Sequence, residues 1–378
     1  MIHISEFRIH RFRGLRDLTL AGLGDFNLLV GPNNCGKSSI LEAFACHANP
    51  LNIEEWLSIG WWREIKSART SVDYSMAKLF PQPHIESDKD LESGWIALDS
   101  VSAAGTSASL AIYNEQISIG RVLTSGDEDG RPVRLRQFSL GHRQGYRFDQ
   151  MGLSNMEERE IPSTFLADFH MVRHAFEGRE RIIDKVDKTA SDLNYDYVGV
   201  ATHRTAKETI DGISRAIGRN YRNQIIEVLR QIDATLTGIE ILEFADQPIN
   251  IFLRRGDDLS PITAFGDGIR RLIHIIGSAA RSADGLLLID ELEIGLHPSA
   301  MTRVLPRLMD LCAAFNVQII ATTHSLEAID AFLGERPAGA AGPTLYRLPG
   351  RAETPAKVRR FAWSDVQIMR AEYGMEIR

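Results

Sequence analysis

The sequence predicts an α/β protein built on a parallel sheet, and three observations carry that expectation. A short apolar run ending in glycine, "FNLLV" at 26–30, leads through a turn into a helical pattern at 37–47. Over the last third of the chain, buried-strand runs alternate with helical ones, the order that yields parallel strands joined by crossover helices. Between 94 and 149 the apolar period changes to two, which suits antiparallel strands with one wet face.

Each element has its own justification. Residues 2–30 read as strands, because Ile2, Ile4, Phe7, Ile9 and Phe12 come close to alternation. The helix at 37–47 places Ile40, Leu41 and Phe44 on one side. "GWIALDSV", "ASLAIYNEQISI" and "RPVRLRQFSL" read as a meander, with "TSGDEDGRP" (124–132) as a solvated turn. From about 165 to 237 the pattern reads as mostly helical; Ile225, Val228, Leu229, Ile232 and Leu236 hold helical spacing, and the opposite charges form a solvated face. "IEILEF" and "INIFLRR" follow as strands. Then come a helix with a glycine stop ("GIRRLIHIIGSAARSADG"), a buried strand ("LLLIDE"), a helix ("SAMTRVLPRLMDLCAAF") and a buried strand ("VQIIATTH"). "GERPAGAAGP" (334–343) is a loop. Three segments are expected: 1–160, 161–245 as a helical arm, and 246–378.

Composition narrows the function. The net charge is -7 and the pI about 5.9, so the charge does not point to DNA, although a local basic patch stays open. Cys35, Cys46 and Cys312 show neither metal spacing nor a paired framework, which favours a reducing compartment. The N-terminus "MIHISEFRIHRFRGL" lacks an apolar core, and no apolar run reaches membrane-spanning length, so neither a signal peptide nor a membrane role is expected.

Four segments carry chemistry. Gly31, Gly36, Lys37 and Ser38 fit G-x-x-x-x-G-K-[ST] with a strand before and a helix after. Glycines let the backbone wrap a phosphate, and the helix N-terminus adds a favourable dipole. Asn33, Asn34, Gly36, Lys37, Ser38 and Ser39 are therefore candidate nucleotide contacts, with Lys37 on the β- and γ-phosphates and Ser38 on Mg²⁺. "GLLLIDELE" ends a buried strand in Asp290, a second Mg²⁺ ligand, and Glu291, a general base. His324 in "ATTHS" follows another buried strand and is a candidate γ-phosphate sensor, although a lone histidine is more often structural. In "PITAFGDGIRRL", Gly266, Asp267 and Gly268 open a helix, which is an anion site or simply a cap.

This order, from "RFRGL…LLVGPNNCGKSSILEAF" through "FGDGIRRL", "LLLIDELEIGLHP" and "ATTHS" to the closing "MEIR", resembles the ABC-type ATPase heads of the SMC/RecF group, and most closely the stand-alone ATPases near the OLD family. The resemblance implies an ABC-type ATPase head: a P-loop parallel sheet core, an N-terminal antiparallel β subdomain and a helical lobe. It implies a homodimer that sandwiches two ATP molecules head to tail. Lys37, Glu291 and His324 would act from one subunit and Gly266–Gly268 from the other. Glu293, Gly295, His297 and Pro298 match the loop at the dimer seam, and Arg13 matches a position near the nucleotide. Two features depart from the pattern: Gly266 stands where transporters carry a signature serine, and the metal-coupling glutamine has no clear match beyond Gln82. The stretch after His324 is too short for the Toprim domain of OLD nucleases.

The expected protein is thus a cytoplasmic, dimeric, Mg²⁺-dependent ATPase. The resemblance adds a separate effector, a nuclease or toxin, in anti-phage defence or a toxin–antitoxin-like system. A RecF-like DNA-repair ATPase and a nucleotide-gated scaffold with negligible turnover are the two rival readings.

Overall fold

The computed structural model describes residues 4–61, 78–80, 93–118, 133–148, 169–177, 180–183, 193–200, 206–244, 247–332, 342–350 and 357–372. The strands are β1 (Ile4–Phe12), β2 (Leu15–Ala21), β3 (Phe26–Val30), β4 (Ser93–Ser102), β5 (Gly105–Ser118), β6 (Val133–Gln144), β7 (His170–Glu177), β8 (Glu180–Ile183), β9 (Tyr195–Val198), β10 (Leu236–Phe244), β11 (Gln247–Arg255), β12 (Asp258–Pro261), β13 (Leu286–Ile289), β14 (Gln318–Thr322), β15 (Thr344–Arg347) and β16 (Arg359–Phe361). The helices are α1 (Lys37–Ala48), α2 (Ile53–Trp61), α3 (Ala206–Gly218), α4 (Arg222–Leu229), α5 (Asp267–Arg281), α6 (Pro298–Ala314), α7 (Leu326–Ala331) and α8 (Trp363–Gln367).

The chain forms two compact units, one from residues 20–41 and 193 onward, the other from 4–19 and 42–192. This division follows contact rather than chain order, so it differs from the three consecutive segments expected.

The first unit is the α/β core. Its six-stranded sheet runs β16-β15-β3-β14-β13-β9. β15, β3, β14, β13 and β9 are mutually parallel, and β16 is antiparallel to β15. Every residue of β3, β13 and β14 is buried, as strands covered on both faces require. Register pairs Leu29 with Thr322, Ala321 with Ile289 and Ile289 with Val198. The chain therefore leaves β3, β13 and β14 at one sheet edge, where ligands of open parallel sheets bind. One apolar cluster, including Leu28, Ile276, Leu287, Val304 and Ile319, joins sheet and helices. The antiparallel sheet β10-β11-β12 belongs to this unit as well. Helix starts follow local chemistry: His297 caps α6, accepting from the Ser299 N–H with Pro298 behind it, and the Ser325 hydroxyl caps α7, accepting from the Ala328 N–H.

The second unit is a seven-stranded sheet, β2-β1-β4-β5-β6-β7-β8, antiparallel from β1 to β8. The expected meander is β4–β6; its turn at 124–132 lies outside the described residues. Phe7 stacks on Phe44 at 3.9 Å between ring centroids, and Arg13 pairs with Glu42 at 2.7 Å. His47 is fully buried among serines: Ser100 and Ser107 hydroxyls lie 2.8 and 3.2 Å from its Nε2, and Ser109 lies 2.8 Å from its Nδ1.

The helical expectation from about 165 needs correction. β7, β8 and β9 occupy 170–177, 180–183 and 195–198, and among the described residues the first helix after them starts at Ala206. β7 pairs along β6 and turns back on β8, so non-local ladders override a locally helix-friendly run.

Candidate functional site

The phosphate loop lies between β3 and α1, as its sequence demanded. Gly31 has φ +146°, and a Cβ there would stand 2.9 Å from the Leu348 carbonyl oxygen, so only glycine lets the chain turn away from β15 at this point. Asn34 and Gly36 also hold positive φ, curling the loop so that its N–H groups precede the helix start. Lys37 is buried, and its ammonium donates to the carbonyls of Gly31 (2.7 Å) and Pro32 (3.0 Å). Cys35 Sγ lies 3.8 Å from the same nitrogen. Burial pushes the Lys37 pKa down, against the opposing pull of Cys35, Asp290 and Glu291. Asn33 and Asn34 are exposed on the loop, and Ser39 is buried in the first turn of α1.

Asp290, just past β13, is the meeting point. Its Oδ1 accepts from the Ser38 hydroxyl (3.1 Å) and the Thr322 hydroxyl (2.7 Å), and its Oδ2 from the Tyr197 hydroxyl (3.4 Å). Residues far apart in sequence thus converge on one carboxylate. The donor set is hard oxygen, suited to Mg²⁺. The 3.1 Å between Ser38 Oγ and Asp290 Oδ1 also matches the ligand–ligand edge, about 3 Å, of an octahedron with Mg–O distances near 2.1 Å. The residues present fit the metal.

Glu291 follows with φ +51°, a left-handed conformation uncommon outside glycine. Its N–H donates to Thr322 Oγ1 at 2.8 Å. Burial, then Asp290 and Glu293, raise the pKa of its carboxyl group, with His324 opposing. The His324 N–H donates to Glu293 Oε1 at 2.9 Å, tying the loop after β14 to the loop after β13. The first unit therefore brings together Gly36, Lys37, Ser38, Asp290, Glu291 and His324.

Gly266 is the N-cap of α5, without a side-chain cap bond; Asp267 is the first helical residue and pairs with Arg270. A Cβ on Gly268 would meet the Gly295 carbonyl oxygen at 2.5 Å, whereas a Cβ on Gly266 would meet nothing within 4 Å. The start of α5 thus packs on the 291–297 loop of its own chain. Arg13 lies in the second unit, paired with Glu42. Gln82 and the closing "MEIR" lie outside the described residues.

Sequence reasoning missed Tyr197, Thr322 and Arg271. Thr322 sits in "ATTHS" and was passed over for the histidine. Arg271 left one signal, an arginine whose helical spacing sets it on the apolar face with Ile275 and Ser278 rather than beside Arg270.

A phosphate cradle facing an acidic strand end at one edge of a parallel sheet is a nucleotide site, and the family comparisons agree. A protein-family model described as "AAA ATPase domain" matches residues 2–98. Another, described as "AAA domain, putative AbiEii toxin, Type IV TA system", matches 158–330. The fold and site define the class: a P-loop ATPase on an α/β core.

Among individual proteins, the chain is similar to an "ATP/GTP phosphatase" of Helicobacter pylori, 23% identical over 363 residues that cover 86% of each chain. It is also similar to an uncharacterized protein of Methanocaldococcus jannaschii, 31% identical over 115 residues, 30% of this chain and 98% of that one. Among solved structures it is similar to an Smc head bound to the C-terminal winged-helix domain of ScpA (TM-score 0.49, 14% identity, 96% and 99% covered). A Pyrococcus furiosus Smc head with an extended coiled coil gives a TM-score of 0.48 at 12% identity, with 99% and 100% covered.

Proposed function

We propose that this chain hydrolyses ATP with Mg²⁺ between two head-to-tail copies and uses the closed dimer to control a separate effector protein in the cytoplasm. The convergence of Ser38, Thr322 and Tyr197 on Asp290 carries the reading, because it supports a metal–triphosphate site and has no use in a bare structural loop. The loop N–H groups and Lys37 bind the β- and γ-phosphates, Lys37 exchanging two carbonyls for phosphate oxygens. Ser38 and Asp290 would hold Mg²⁺, which supplies charge neutralisation on the transferring phosphoryl group. Glu291 takes the proton of the attacking water, and the burial that raises its pKa makes it a stronger base than a solvated carboxylate. His324, steered by Glu293, orients the γ-phosphate.

The open space around Gly266 supports a trans contact, since a partner's γ-phosphate could approach its N–H without meeting a side chain. The toxin-system description of the 158–330 match is in keeping with a role in a toxin–antitoxin-like system, in which a nuclease or toxin on another chain would be the effector. The test is Glu291→Gln with ATP and Mg²⁺, followed by gel filtration with light scattering. The variant is expected to bind ATP, lose hydrolysis and run as a dimer. A variant that stays monomeric, or that turns over at the wild-type rate, removes the basis for the reading.

A further inference from the structure

Arg271 has no role in the reading so far, yet it is the most unusual side chain in the first unit. It is 0% exposed on α5. A buried guanidinium is costly unless its donors are satisfied. Here the partners are backbone carbonyls. Nη1 donates to Gly199 and, at 3.4 Å, to Val200, both just past β9. Nη2 donates to the carbonyls of Asp290 (2.9 Å) and Glu291 (3.2 Å). One side chain thus grips the ends of two adjacent strands, and the second grip falls on the two carboxylate-bearing residues of the site.

The Glu291 backbone needs such a grip. Left-handed φ in a non-glycine residue persists only where the surroundings impose it. Thr322 holds the N–H of Glu291 and Arg271 holds its carbonyl, so this peptide is fixed from both ends. Arg271 stands about one turn from Gly266–Gly268, and that turn touches the Gly295 carbonyl directly. The helix start, the Asp290–Glu291 backbone and the 291–297 loop are consequently linked by fixed contacts.

We propose that Arg271 is a positioning residue for hydrolysis: from the first turns of α5 it holds the Asp290–Glu291 backbone so that the Glu291 carboxylate faces the attacking water. The proposal rests on the ATPase reading above. It explains why a cation is kept on the buried face of α5 with backbone carbonyls as its hydrogen-bond acceptors, and it gives the Gly266–Gly268 segment a physical connection to the base of its own subunit. Arg271 is buried and reaches the site only through backbone carbonyls, so it acts through the Asp290–Glu291 backbone.

The test uses the full chain. Arg271→Lys keeps charge and length but cannot fork across two strand ends. Binding of a fluorescent ATP analogue with Mg²⁺ is expected to stay within about twofold, because the phosphate loop is untouched, while kcat falls roughly 10- to 100-fold, the usual consequence of misplacing a reacting group by an ångström or so. On the slow residual rate left by Glu291→Gln, read in long single-turnover assays, the same substitution is expected to cost less than about twofold further, since residues acting through one another do not add. Wild-type kcat in Arg271→Lys overturns the proposal. So does a parallel loss of ATP binding, or a full multiplicative loss in the double variant. An Arg271→Lys chain that no longer elutes and melts like wild type shows a plain core role and overturns it as well. The ATPase reading fails separately: wild-type protein that binds ATP yet shows no hydrolysis removes that reading, and this proposal with it, before any variant is made.

Discussion

Acidification from pH 8 to pH 5 is expected to loosen the seven-stranded unit, and His47 sets the size of the effect. Burial, and secondarily His142, pushes its pKa from 6.5 down to about 3, with Asp99 opposing. The folded value lies below the unfolded one, so between these limits the unfolded chain binds a proton that the native chain refuses. The His47 contribution is therefore whole above about pH 6.5 and is lost as pH falls toward 3. At pH 5 the unfolded state has gained about 1.5 pH units of proton binding, or roughly 2 kcal/mol. For a unit of this size that is about 4–8 °C in Tm. The assay is scanning calorimetry at both pH values on wild type and His47→Gln. Glutamine can serve the same serine hydroxyls but takes up no proton, so the wild-type drop should exceed the variant's by that margin. Equal drops in the two proteins would show that His47 is not the proton-refusing group and that its serine cage does not govern acid stability.

Lys37→Ala should weaken ATP binding by roughly 10- to 100-fold, the loss of one or two charge-assisted hydrogen bonds, read by equilibrium titration; unchanged affinity would contradict the phosphate cradle. Cys35, 3.8 Å from the Lys37 ammonium, should be alkylated by N-ethylmaleimide in free protein and protected by ATP, as mass spectrometry of the 26–44 region would record. Gly268→Ala should reduce ATP turnover even without a partner contact, because its Cβ collides with the Gly295 carbonyl oxygen of the same chain. Gly266→Ser has open space and adds a hydroxyl donor; about tenfold tighter ATP-dependent dimerisation is expected, from one hydrogen bond to a charged group.

The contrast between the two glycines shows what could be read in the sequence. Both stand in "FGDG", and sequence treats them alike; only the fold brings the 295 carbonyl against one and leaves the other open. The phosphate loop and the β13 strand were legible because strand, turn and helix are local events with strong residue preferences. The path from β3 to β14 was legible for the same reason, through unbroken apolar runs such as "LLLI" and "VQIIAT". The hidden part is whatever depends on distant partners. Residues 170–177 and 180–183 fall in a stretch that reads locally as helix, and the ladders of β7 to β6 and of β8 to β7 make them strand. Thr322 and Tyr197 look like ordinary strand residues until the sheet register sets them beside Asp290. Arg271 reads as a stray charge until its four carbonyl partners are assembled from 199, 200, 290 and 291.

The six-stranded sheet has a consequence for solubility. Its outermost strands, β9 and β16, are four and three residues long. Unpaired edges invite other chains to add strands, and proteins blunt them with brevity and charge. β16 offers two exposed arginines, and β9 carries Asp196, bound to Arg281. Among the described residues, neither border offers a neighbouring copy a long run of flat, uncharged backbone. Copies of this chain are thus discouraged from adding strands to one another at these two borders.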